Sequence, residues 1–142
     1  MKKAICQLVK YLMRAYSVAK QPVQKRVNGR ISRKLAVWVA EKRYCETESL
    51  AQVASEFGVS EEELSYYFST IVGMRFTTFR KDLRIEEARR LICEQPDMRL
   101  LVVANRVGIT DKCNFRKQFY EKFGVSPSDW QRKCAEDKHS DR

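Results

Sequence analysis

One pattern of apolar residues and glycines occurs twice in this chain, at positions about fifty residues apart. Each copy contains an alanine, a glycine followed by an apolar and a hydroxyl residue, an apolar pair spaced by four, a second glycine and an aromatic residue. The second copy has one extra residue before the spaced pair. Such a repeat predicts one structural unit used twice. The first copy is Ala54, Gly58, Val59, Ser60, Leu64, Phe68, Gly73 and Phe79, and the second is Ala104, Gly108, Ile109, Thr110, Phe115, Phe119, Gly124 and Trp130.

The first copy predicts two short helices joined by a tight turn. Ser49 and Gln52 form a capping box, the pattern that opens a helix, and Ser60 with Glu63 forms another. Gly58 lies between them and can adopt the positive φ angle that ends the first helix. Two short helices around a glycine turn are typical of a helix-turn-helix motif.

The second copy predicts the same motif. A first helix covers residues 101–107, the turn contains Gly108, and Thr110 is the expected N-cap of a second helix over residues 111–122. Phe115 and Phe119 share one face of that helix and are expected to face the core.

Further helices are predicted around the two copies. Residues from 77 or 78 to 94 form one long helix that ends before Pro96. A short last helix begins at Ser126 and Pro127 and is followed by a polar tail at 134–142. Residues 35–44 form a helix with Trp38 as a core anchor. The sequence therefore predicts an all-α fold, with two helix-turn-helix subdomains joined by a long linker helix and an extra N-terminal basic amphipathic helix.

The formal net charge of +10 arises entirely in the first quarter of the chain. Residues 1–34 contain ten Lys or Arg and no acid, whereas residues 35–142 contain equal numbers of basic and acidic residues. Within this basic segment, Pro22 and Asn28-Gly29 predict a linker or loop. Such a segment indicates an anionic partner, nucleic acid or a membrane surface, or only a solvated aid to solubility, and charge alone leaves these open.

An apolar stripe lies on the predicted N-terminal helix of the basic segment. It allows a dimer through that helix, adsorption to an anionic membrane, or packing on its own domain. The stripe consists of Ile5, Leu8, Val9, Leu12, Tyr16 and Ala19.

Cysteine and histidine usage argues against metal sites and catalysis. The five cysteines, at positions 6, 45, 93, 113 and 134, are odd in number and lack metal-site spacing, which favours reduced thiols in a cytoplasmic protein. The single histidine, His139, lies near the C-terminus, and no glycine-rich phosphate loop is present. We therefore expect no enzyme, no cofactor and no metal. No apolar run reaches the roughly 18 residues of a membrane span, so a membrane protein is not expected.

Both motifs and the segments between them contain further short matches to one family. They are Leu50-Ala51-Gln52-Val53-Ala54, Gly58-Val59-Ser60, Leu64-Ser65, Leu83-Arg84-Ile85-Glu86-Glu87-Ala88, Val107-Gly108-Ile109-Thr110, Phe115, Phe119 and Gly124-Val125-Ser126-Pro127. With these residues the chain resembles, over about residues 35–133, the DNA-binding domain of the AraC/XylS family of bacterial transcription regulators.

The resemblance implies a function and a partner. In that family each helix-turn-helix places its second helix in a major groove of double-stranded DNA, and the long helix sets the spacing. It implies sequence-specific DNA binding and transcription regulation in a bacterial cytoplasm, and favours an activator that contacts RNA polymerase. Because only about 34 residues precede the match, the chain resembles a short stand-alone member or an isolated output domain, and no small-molecule effector domain is expected.

The resemblance also implies which residues contact DNA. In the second copy the matching positions lie on the outward face of the second helix. Lys and Arg there can bond guanine O6 and N7 or neutralise phosphates, although an ordinary solvated basic face is the alternative. These residues are Lys112, Cys113, Asn114, Arg116 and Lys117.

The first copy departs from the family pattern. Its second helix begins with three glutamates, 61–63, and exposes Ser65, Tyr66 and Ser69, where relatives commonly have Arg or Lys. We expect a weak DNA contact through Glu62, Ser65 and Tyr66. The alternative is that this acidic helix binds a protein partner and the chain is an interaction module.

Basic residues of the N-terminal segment can supply the phosphate attraction that the first motif lacks. Those expected to do so are Lys25, Arg26, Arg30 and Arg33.

Overall fold

A computed structural model describes residues 22–141 together with Gln7 and Lys10. Residues 22–141 contain seven α-helices and no strand, which confirms the all-α prediction. The described residues form two compact units, of which unit 1 comprises residues 22–43 and 47–80 and unit 2 comprises residues 44–46 and 81–141. The helices are α1 (Pro22–Ala40), α2 (Leu50–Phe57), α3 (Glu61–Tyr67), α4 (Phe76–Glu94), α5 (Leu100–Arg106), α6 (Lys112–Phe123) and α7 (Pro127–Ser140).

Helix α1 passes straight through Asn28-Gly29, so the predicted loop there is wrong. Its buried face contains Ile31, Leu35 and Trp38, and it packs against α2 and α3. This burial outweighs the roughly 1 kcal/mol that a glycine costs inside a helix. The helix predicted for residues 35–44 is the last part of α1, which ends at Ala40 and is followed by a 3₁₀ turn at Arg43–Cys45.

The first helix-turn-helix forms as its capping residues predict. The Ser49 hydroxyl accepts a hydrogen bond from the backbone N–H of Gln52. The Gln52 side chain in turn accepts a hydrogen bond from the backbone N–H of Ser49. Ser60 and Glu63 make the same reciprocal pair at the start of α3. Gly58 ends α2 with a φ angle of 70°. A π turn at Phe68–Val72 follows α3 and leads to α4, which begins at Phe76.

The second helix-turn-helix, α5 and α6, lies in unit 2. Helix α6 has Asp111 as its N-cap, whereas the sequence predicts Thr110. The Asp111 Oδ1 atom accepts from the backbone N–H of Asn114 at 2.7 Å. A carboxylate at this position accepts a hydrogen bond from an otherwise unpaired N–H. Its negative charge also interacts favourably with the positive end of the helix dipole.

Unit 2 contains a disulfide between Cys93 and Cys134, whose Cα atoms are 5.1 Å apart. The expectation that all cysteines are reduced is therefore wrong for this pair. The predicted polar tail at 134–142 is also wrong in part, because α7 continues to Ser140 and Cys134 is buried. By chain entropy alone, closing a loop of about 40 residues stabilises a fold by roughly 4 kcal/mol.

The predicted N-terminal amphipathic helix lies almost wholly outside the described residues. Gln7 and Lys10 are described, and both are helical and exposed. Within the described part of the chain, no helix has both the length and the apolar character needed to cross a bilayer.

Candidate nucleic-acid interface

Helix α6 has one buried face and one exposed, basic face. Phe115 and Phe119 are 1% and 0% exposed and face the core of unit 2, as predicted. The five predicted contact residues Lys112, Cys113, Asn114, Arg116 and Lys117 are all exposed. All five therefore lie in the first two turns of α6, outside its buried face.

The residues of this face differ in the contacts they already make. The Asn114 Oδ1 atom accepts from Gln118 Nε2 at 2.9 Å. Lys117 Nζ lies 4.0 Å from Glu121 Oε1, a surface ion pair of the kind that contributes little stability. Among the described residues, Lys112 and Arg116 form no ion pair, so both cations are available to an anionic ligand.

Core packing and an ion pair hold α6 in place. Phe115 and Phe119 belong to a buried cluster that includes Ile85 of α4. Near the C-terminal end of α6, Lys122 Nζ lies 3.7 Å from Glu86 Oε1 of α4. Because the backbone of α6 is fixed in this way, a ligand has to order only the surface side chains that it contacts.

The exposed face of α3 is acidic. Glu61, Glu62 and Glu63 occupy its first turn, where carboxylates favour the helix dipole. Glu63 accepts from the backbone N–H of Ser60 at 3.3 Å, which confirms its predicted capping role. Ser65 and Tyr66 are exposed, Tyr66 by 56%. The carboxylates on this face accept hydrogen bonds and repel phosphates, whereas the Ser65 and Tyr66 hydroxyls can also donate.

The predicted basic residues of the N-terminal segment lie on the ordered helix α1. Lys25, Arg26 and Arg33 are exposed. Arg30 Nη1 donates to the Gly58 carbonyl at 3.2 Å, so this side chain also binds the C-terminal end of α2. These cations are therefore positioned by a packed helix of unit 1.

A partly buried polar contact that sequence reasoning missed joins α1 to α3. The hydroxyl oxygens of Ser32 and Tyr67 are 2.7 Å apart. Burial raises the pKa of Tyr67, while the hydrogen bond with Ser32 lowers it by a smaller amount. The Tyr67 hydroxyl therefore stays protonated and orients α3 against α1. Two hydroxyl residues separated by 35 positions have no sequence pattern that would reveal this.

Two arginines have structural roles that the sequence did not indicate. Arg43 donates to Glu56 at 3.0 Å and also to Glu48, and these hydrogen bonds raise the pKa of Arg43. Arg84 Nε donates to the Tyr44 carbonyl at 2.5 Å and Arg84 Nη2 to the Glu46 carbonyl at 2.6 Å. Arg84 thus holds residues 44–46 within unit 2.

No metal centre is evident in the part of the chain that the structure describes. There, no group of three or more His, Cys, Asp or Glu side chains is placed to hold an ion.

Sequence comparison finds known proteins that are similar over most of this chain. Over 133 residues the chain is 26% identical to the arabinose operon regulatory protein of Escherichia coli K12, covering 94% of this chain and 45% of that protein. The protein of the same name from Salmonella typhimurium is also 26% identical, over 131 residues covering 92% of this chain and 46% of that protein. The chain thus spans less than half the length of these two relatives.

Solved structures show the same fold. A transcriptional regulator with an AraC-type DNA-binding domain, from Chromobacterium violaceum, matches with a TM-score of 0.66 at 20% identity over 75% of this chain and 93% of that chain. A DNA-binding transcriptional dual regulator from Escherichia coli K-12 matches with a TM-score of 0.61 at 22% identity, over 84% of this chain and 99% of that chain.

A family model described as a helix-turn-helix domain matches residues 53–133, more than half of the chain. The chain therefore belongs to the helix-turn-helix proteins, and within them to the AraC/XylS family of DNA-binding transcription regulators.

Proposed function

We propose that this chain binds double-stranded DNA in a sequence-specific manner and that α6 makes the dominant base contacts. The observation that supports this most directly is the exposed face of α6, where Lys112 and Arg116 have no ion pair among the described residues. Enrichment of a defined sequence from a random duplex pool tests the proposal.

The chemistry of α6 fits the major groove. This groove is about 12 Å wide and admits an α-helix. Arg116 has the bidentate guanidinium that recognises guanine O6 and N7, and Asn114 has an amide of the kind that pairs with adenine. Lys112 and Lys117 neutralise phosphates beside the groove, and Cys113 is small enough to permit close approach.

Helix α3 makes the weaker contact in this proposal. Ser65 and Tyr66 can bond phosphates or base edges, and Glu62 can accept from cytosine N4. Glu61 and Glu62 together place two negative charges at the end of the helix that would enter the groove. Their repulsion from phosphates lowers the affinity of the first motif.

Removing these charges is expected to strengthen DNA binding. The double variant Glu61→Gln and Glu62→Gln should lower the Kd at ~150 mM salt by about threefold to tenfold, since two repulsive charges disappear. Fluorescence anisotropy with a labelled duplex measures this. Glu136→Gln with Asp137→Asn changes the charge equally on exposed α7 positions and serves as the control. Equal gains in both double variants would place α3 away from DNA.

The basic residues of α1 are proposed to interact with phosphates. Replacing Lys25, Arg26 and Arg33 by Gln should reduce the slope of log K against log salt by about 0.9 for each phosphate that is no longer neutralised. The same change at Arg99, Arg132 and Lys133, which are exposed residues of unit 2, is the charge-matched control. A slope that is the same in wild type and in the α1 variant contradicts this contribution. Deleting residues 1–34 is a poorer test, because Ile31 is part of the core.

A second candidate function rests on the acidic face of α3 and its exposed Tyr66. In this alternative the domain is an interaction module, and α3 binds a basic surface of a protein partner.

We also propose that the chain is cytoplasmic and activates transcription by contacting RNA polymerase. Transcription in vitro with purified polymerase tests activation, and Glu61→Lys with Glu62→Lys should abolish it if α3 is the contact.

A further inference from the structure

We propose that the Cys93–Cys134 disulfide is a reversible redox switch that controls the DNA affinity of α6. This inference rests on the proposed function of α6. The disulfide links α4 covalently to α7. The proposed DNA contacts lie on a third helix of unit 2, α6.

The disulfide is the covalent part of a small α4–α7 contact. Cys93 is in the last turn of α4 and half-buried, and Cys134 is buried in α7. The neighbouring hydrogen bonds involve long side chains, since Trp130 Nε1 donates to the Arg89 carbonyl at 3.3 Å and Lys138 Nζ to the Glu94 carbonyl at 2.5 Å. Breaking the disulfide leaves α7 held by these groups and by its apolar contacts.

A stacked side chain connects this contact to the proposed DNA-binding helix. The Arg89 guanidinium of α4 lies 5.4 Å from the centroid of the Phe123 ring and 5.7 Å from that of Trp130. Phe123 is the last residue of α6, and Trp130 is one turn before Cys134 in α7. A shift of α7 therefore moves Trp130, and Arg89 transmits the change to the end of α6.

The chemistry is a two-electron exchange between thiols and a peroxide or a disulfide. With a peroxide, one cysteine thiolate attacks an O–O oxygen, and the sulfenic acid formed is attacked by the second thiol. The S–S bond forms, and for hydrogen peroxide two water molecules leave. In reverse, the thiolate of glutathione attacks one sulfur and forms a mixed disulfide, and attack by a second glutathione leaves two cysteine thiols and one oxidised glutathione.

The test measures duplex binding and thiol state together. The full chain with Cys113→Ser, which removes the exposed thiol of α6, is equilibrated in oxidised and reduced glutathione mixtures. The selected duplex is the probe, and peptide mapping after alkylation gives the Cys93–Cys134 fraction. We expect the oxidised form to bind at least about fivefold more tightly, within the usual range of coupling between sites. Its thermal midpoint should be about 10 °C higher than that of the reduced form.

The matched control is Cys93→Ser in the same background. This variant should bind with the affinity of the reduced parent at every glutathione ratio, and its thermal midpoint should not respond to the ratio. Equal affinities of the oxidised and reduced parent overturn the switch, as does peptide mapping that finds no Cys93–Cys134 link under oxidising conditions. If wild type and both forms of the Cys113→Ser parent bind no duplex, the proposed function fails, and the redox dependence of the thermal midpoint still decides whether the disulfide forms reversibly.

Discussion

Replacing Gly108 by alanine is expected to destabilise unit 2 far more than the same change at another turn glycine. Gly108 has a φ angle of 83°, and a Cβ atom there would lie 2.4 Å from the Cys45 carbonyl oxygen and 3.1 Å from Arg84 Cζ. Arg84 holds residues 44–46 in place, so the Cys45 carbonyl can move away only if the hydrogen bonds from Arg84 to the Tyr44 and Glu46 carbonyls break. Overpacking of this kind should cost about 3 kcal/mol in addition to the strain of the positive φ angle.

Gly124→Ala provides the matched control. Gly124 has a φ angle of 71°, and an added Cβ there meets no atom within 4 Å, so only backbone strain of about 1 kcal/mol is expected. The indole N–H signals of Trp38 and Trp130 report unit 1 and unit 2 separately during urea unfolding. We expect the Trp130 signal to change at a clearly lower urea concentration in Gly108→Ala than in Gly124→Ala. Matching midpoints would show that residues 44–46 do not constrain this turn.

Removing Lys112 and Arg116 from α6 is expected to cause the largest decrease in DNA affinity. The Lys112→Ala and Arg116→Ala double variant should raise the Kd for the selected duplex roughly 100-fold, since a base contact and a phosphate contact disappear together. Its thermal midpoint should stay close to that of wild type because both side chains are exposed. Anisotropy titration and thermal unfolding measure the two quantities.

Arg132→Ala with Lys133→Ala removes the same charge from exposed positions of α7. If Lys112 and Arg116 act only through net charge, the two double variants will be weakened equally. The proposed role of α6 requires that its own variant bind at least about tenfold more weakly than the α7 variant. Single variants then separate the two roles. Arg116→Ala should relax the sequence preference at one position, whereas Lys112→Ala should weaken binding to all sequences alike.

The helix-turn-helix motifs could be predicted because their signals are local. Ser49 and Gln52, or Ser60 and Glu63, meet across a single turn, so sequence spacing alone places each side chain near its backbone partner. Phe115 and Phe119 share a face for the same reason. The exposed residues of α6 could be predicted in turn, since they are the positions outside that buried face.

The sequence-based predictions were wrong where contacts between residues distant in sequence determine the local structure. Asn28-Gly29 is typical of a turn, yet burial of neighbouring Ile31 and Leu35 keeps the helix continuous. The Cys93–Cys134 pair joins residues 41 positions apart, and only the packing of α7 on α4 brings them together. The Arg84 contacts with residues 44–46 and the Ser32–Tyr67 contact are similarly distant in sequence, so no short motif encodes them.

Selection from a random duplex pool at ~150 mM salt tests most directly whether α6 reads base sequence, because nonspecific attraction is already weakened there. We predict one strongly enriched element, which disappears when the selection is repeated with Arg116→Ala. Two elements about one helical turn apart would show that α3 also reads bases despite its acidic face. A pool that remains unenriched would contradict sequence-specific binding and favour the interaction module.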